Sequence, residues 1–113
     1  MSDLVKRLAN GRQRLVFGRP GNGGGPAELR AAIERKYVQL KFTETRGGTE
    51  LGFSLDERAC DLGAADFARG QGRVHLEGSL TLDYVPVRLI ADVDLATLEG
   101  EGRLELVEQA PQV

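Results

Sequence analysis

The sequence predicts an α+β domain: an antiparallel sheet of five to six strands, made of a hairpin and a three-strand meander, with one main helix and a short N-terminal helix packed on one face. Three observations predict it. Residues 72–107 alternate apolar and polar side chains in a phase that flips twice, residues 38–42 and 51–55 alternate on either side of Gly47-Gly48, and residues 26–36 carry the end signals of a helix.

Composition sets the frame. At 113 residues the chain has the size of one domain, and 41% hydrophobic with 28% charged residues is globular rather than disordered composition. Aromatics are 5% with no Trp, so the core must be built mainly from Leu, Val and Ala. The first residues form neither a signal-peptide core nor a spanning segment, and the expectation is a soluble, cytoplasmic protein without membrane contact. The single cysteine, Cys60, excludes an internal disulfide and a multi-cysteine metal site. Net charge is only −2, yet residues 1–47 hold ten Lys/Arg against four Asp/Glu and residues 48–113 five against thirteen. Such halves either attract each other within the fold or between subunits, or present separate patches to a partner.

Ser2 is a good N-cap for a short helix with Leu4, Val5 and Leu8 on one side, and Gly11 is placed to end it. Residues 12–17 are β-compatible and stop at Gly18-Arg19-Pro20-Gly21. After the glycine-rich stretch 18–25, Pro26 stands at the first helical position. Glu28 in the first turn and Arg35 and Lys36 in the last complement the macrodipole, and Leu29, Ala32 and Ile33 form a narrow apolar stripe. Gly47-Gly48 reads as a two-residue hairpin loop pairing Phe42 with Phe53 and Leu40 with Leu55. Residues 57–72 are Ala-rich and predict a helical turn or two. Two five-residue units there, 60–64 and 65–69, have the look of pentapeptide repeats, but two units cannot build a solenoid. Residues 109–113 read as a flexible tail.

The meander allows its registers to be worked out, because directly opposed residues share a face. A turn on Asp83-Tyr84 pairs Leu82 with Val85, Leu80 with Val87, Leu76 with Ala91 and Val74 with Val93, and sets Arg73 against Asp94 and His75 against Asp92 on the other face. A turn on Ala96-Thr97 pairs Leu95 with Leu98, Leu89 with Leu104 and Val87 with Leu106, with Arg88 against Glu105. Gly78, Gly100 and Gly102 then fall on the apolar side, where they either leave room for a helix or bend the sheet toward a barrel.

The same registers gather Asp92, Asp94, Glu99 and Glu101 on one face, and opposed like charges destabilise a sheet. Arg73, His75 or Arg103 can neutralise them, or a basic surface of another chain can. A flat face rarely wraps a cation. Arg73, His75, Asp92, Asp94, Glu99 and Glu101 are therefore the candidate interaction surface. The glycine-rich loop offers a second candidate, because free amides ahead of a helix suit anions; it comprises Arg19, Gly21, Asn22, Gly23, Gly24 and Gly25 but lacks the Lys-Ser/Thr of a P-loop. Cys60 and His75 have no spacing that supports a catalytic dyad. The basic N-terminal half lacks interleaved aromatics, which speaks against nucleic acid.

The functional expectation is an accessory or interaction protein without catalysis, metal or cofactor, self-associating or docking a protein partner through sheet edges and charged faces. The alternative is an anion- or nucleotide-binding module using the glycine-rich loop.

Overall fold

A computed structural model of the chain describes residues 3–17, 25–45, 47–82 and 84–107. Two short helices, α1 (Asp3–Ala9) and α2 (Pro26–Glu34), accompany six strands: β1 (Gln13–Val16), β2 (Tyr37–Phe42), β3 (Thr49–Leu55), β4 (Arg73–Leu82), β5 (Val85–Asp94) and β6 (Glu99–Leu106). The strands form a closed antiparallel barrel in sequence order. This corrects the expected open sheet with a main helix packed on one face. The strand that decides it is β1, which pairs with β2 (Leu15↔Phe42) on one side and with β6 (Gln13↔Gly102 to Val16↔Glu99) on the other. Closure pairs the first strand with the last and places most of the apolar face inside.

Glycine permits the closure. A Cβ on Gly78 would run into the carbonyl oxygen of Ser54 across the β3–β4 seam, and one on Gly100 into that of Asp92. Of the two uses expected for the inward glycines, bending toward a barrel is the one realised. Leu15, Val38, Leu40, Phe42, Phe53, Val74, Leu76, Leu89 and Leu104 fill the interior, joined by Val5 and Leu8 of α1 and Leu29 and Ala32 of α2. α1 packs against β6 and α2 against β2. α2 stops earlier than expected: Arg35 is its C-cap and Lys36 follows at φ 63°, so these two cations lie past the last turn.

The β4–β5 ladder runs from Arg73↔Asp94 to Leu82↔Val85, the register that alternation predicts, with Tyr84 in the turn at φ 65°. The β5–β6 register also agrees, with Val87↔Leu106 and Leu89↔Leu104. Its loop, however, spans residues 95–98: Leu98 N–H donates to Asp94 O (2.7 Å), Leu98 sits at φ 59°, and buried Leu95 anchors the loop by donating to Gly72 O (2.9 Å).

The first hairpin differs from expectation. β2 pairs with β3 as Phe42↔Thr49, Leu40↔Leu51 and Val38↔Phe53, and the connection is the six-residue segment 43–48. Gly48 N–H donates to Thr45 O (2.9 Å), and the Thr45 and Thr49 hydroxyls meet at 2.6 Å. The glycine pair thus ends a longer loop rather than forming a two-residue turn. Both registers keep the same faces inward, so apolar alternation alone could not separate them. Residues 56–72 hold turns and two isolated bridges, Asp61↔His75 and Asp66↔Gln71, instead of helical turns.

Candidate interaction surfaces

The outward side chains of β4, β5 and β6 are charged, and they are tied together. His75 places Nδ1 2.8 Å from Asp92 Oδ1 and Nε2 2.6 Å from Glu77 Oε2. A carboxylate on each nitrogen favours the protonated ring, and the hydrogen bonds to Glu77 and then Asp92 raise its pKa above the ordinary value. The same bond to His75, with that from Arg88, holds the Glu77 carboxyl below its usual range. Partial burial pushes Asp92 up, but hydrogen bonds from Arg12 and His75 outweigh this and leave it lowered.

Arg12 is the brace the meander alone does not show. Its Nη2 lies 2.7 Å from Asp92 Oδ2 and its Nε 3.4 Å from Glu101 Oε2, so it bridges two carboxylates that the Asp92↔Glu101 register sets side by side. Further along, Arg88 reaches Glu77 Oε1 (3.1 Å) and Asp56 Oδ2 (3.0 Å) and thereby lowers the Asp56 pKa. Of the three compensating cations expected, His75 serves Asp92. Arg103 instead pairs with Glu105, and Arg73, though opposite Asp94, makes no ion pair among the described residues. Asp94 uses its carboxylate to accept the Ala96 N–H (2.8 Å).

Arg73, Asp92, Asp94, Glu99 and Glu101 converge on one cleft of 660 Å³, which Arg12 and Arg14 also line, and His75 reaches it through Asp92. The structure therefore brings the expected surface residues together. In the glycine-rich loop, Arg19, Gly21, Asn22, Gly23 and Gly24 lie outside the described residues, while Gly25 caps α2 by accepting the Glu28 and Leu29 amides (3.0 and 3.1 Å). Cys60 faces the Glu77 backbone, with Sγ 3.4 Å from its N and 3.6 Å from its O, and not the His75 ring. Burial pushes its thiol up, away from thiolate. Among the described residues no group of three or more His, Cys, Asp and Glu is arranged to hold a metal ion, and no helix is long and apolar enough to cross a membrane.

The opposite end of the molecule carries a surface that the sequence reading missed. β3 pairs with β4 only at Ser54↔Ser79 and Leu55↔Gly78, and β1 pairs with β6 only over residues 99–102. Beyond those contacts, the ends of β4, β5 and β6 continue as a three-stranded ribbon whose apolar face is incompletely roofed. Leu80, Leu82 and Val85 are part-buried there, Leu106 is 48% exposed, Val107 43%, and Tyr84 at the hairpin tip 100%. Alternation gave the faces of these residues, but only the end of the flanking ladders shows which are uncovered.

The molecule is thus a small closed barrel with a cross-braced charged face toward one end and an incompletely covered apolar ribbon at the other. The model of the core binding factor beta subunit family matches residues 27–113, and the chain belongs to that family. No curated protein matches the sequence. The protein is accordingly a small accessory domain of the protein-interaction class.

Proposed function

We propose that this chain is a non-catalytic beta-type subunit that docks a different protein through the apolar ribbon around Tyr84, Leu106 and Val107. One observation carries the reading. Tyr84 is fully exposed at φ 65°, where glycine or asparagine would sit with less strain. An aromatic ring held in an unfavourable backbone conformation and projected into solvent does nothing for the fold, whereas aromatics in such positions anchor interfaces. The membership in a family of subunits supports a protein as the occupant.

The charged cleft supports a secondary contact. Arg14 and Arg73 have no ion-pair partner among the described residues and stand beside Asp94 and Glu99, so a partner's polar rim can pair there. Replacing Tyr84 and Leu106 together by serine should leave a folded protein that no longer migrates in a larger heteromeric complex when native cell extracts are fractionated by size. Arg73→Ala should shift that complex only slightly. Unchanged migration of the double variant would contradict the reading.

A further inference from the structure

The apolar ribbon has a second property beyond being uncovered. Pro86 O accepts the Val107 N–H (3.3 Å), so the Pro86 backbone faces β6 and Thr81, its partner across the β4–β5 ladder, faces away from β5. From His75 onward the outward backbone groups of β4 are used in turn up to Ser79. His75 N and O bond to Asp61 O and N (2.9 Å each), and Glu77 O accepts the Asp56 N–H (2.8 Å). Ser79 pairs with Ser54, and there the ladder with β3 stops. Thr81, the next residue in this series, is exposed and has no partner on its outward, β3 side among the described residues. Leu80 and Leu82 flank it with side chains directed to the apolar face.

We infer that this open stretch of β4, Leu80 to Leu82, takes an extended segment of the partner protein as an added strand. The occupant follows from the chemistry. The outward N–H and C=O of Thr81 are open to water in the free protein and match in spacing the groups of another extended backbone, and Leu80 and Leu82 suit apolar side chains at alternate positions of it. The edge is continuous with Tyr84, so the segment and the aromatic anchor would be covered together. This inference rests on the docking reading above and specifies its mode.

Thr81→Pro separates the two. Proline removes the outward N–H, and it breaks no β4–β5 hydrogen bond because Thr81 faces away from β5. The probe is a displayed library of linear peptides selected on the wild-type protein, with retention of the dispersed amide spectrum as the check on folding. The expected result is peptides with alternating apolar residues that shift the amides of residues 79–82. Their affinity should fall at least tenfold on Thr81→Pro. It should also fall tenfold on the wild-type protein when alternate peptide amides are N-methylated, which keeps the test decisive should the proline variant unfold. Binders lost on Tyr84→Ser but indifferent to Thr81→Pro and to N-methylation would overturn strand addition and leave the docking surface standing. A library yielding no binder sensitive to either substitution would overturn both.

Discussion

His75 and Asp92 are direct partners across the β4–β5 ladder, and their side chains close to 2.8 Å on the outer face of the barrel. This pair is the hub of the charged surface, because Asp92 carries Arg12 and His75 carries Glu77, which in turn holds Arg88. The hub joins the residue just before β1 to β4, β5 and β6 electrostatically. Both ring nitrogens of His75 are engaged by carboxylates of the same outer face.

A pH dependence follows. The His75 pKa is raised from 6.5, so its contribution is complete below about pH 6.5 and is lost as pH rises through the folded-state value. Glu77 and Asp92 are lowered from 4.5 and 3.8, so theirs are complete above about pH 4.5 and are lost as pH falls. The thermal midpoint should therefore be highest between about pH 4.5 and 6.5 and decline toward pH 9. His75→Gln should cost about 1 kcal/mol at pH 6 and flatten the alkaline decline, as followed by circular dichroism.

Barrel closure depends on two glycines. Gly78→Ala and Gly100→Ala each drive a methyl group into a neighbouring strand's carbonyl, of Ser54 and Asp92 respectively. Each should destabilise the protein by about 3 kcal/mol in urea unfolding, whereas alanine at exposed Gly63, which has no backbone neighbour within reach of a Cβ, should change it by less than about 0.5 kcal/mol.

Tyr84 should set stability against binding. Tyr84→Asn relieves the positive φ and should raise stability by about 0.5–1 kcal/mol while weakening association. Calorimetry and a binding assay on the same preparation read both effects.

Cys60 should be a slow thiol. Part-buried against the Glu77 backbone and pushed up by desolvation, it should react with a disulfide reagent at neutral pH more slowly than a free cysteine does, and reach the free rate once the protein is unfolded.

Much of this architecture is legible in the chain. The alternation from Val74 to Leu106 specifies both meander registers and the pairs Arg73–Asp94 and His75–Asp92, because face and turn parity constrain each other there. The Phe42 register is not legible, since Thr49 and Phe53 present the same face. Closure is legible only as a hint in Gly78 and Gly100, because a four-residue strand, β1, makes it, and with closure unseen the role of Arg12 is invisible too. The exposed apolar tip stayed hidden for a different reason: exposure of Leu106 and Tyr84 depends on where β3 and β1 stop, which no local pattern encodes.

The most direct test of the docking claim is a photo-reactive amino acid introduced at position 84 and, separately, at position 99 in the cleft, with cross-linking in the native cell. The account predicts adducts to a different protein from position 84, and few or none from position 99. Adducts arising mainly from position 99, or only between copies of this chain, would contradict it.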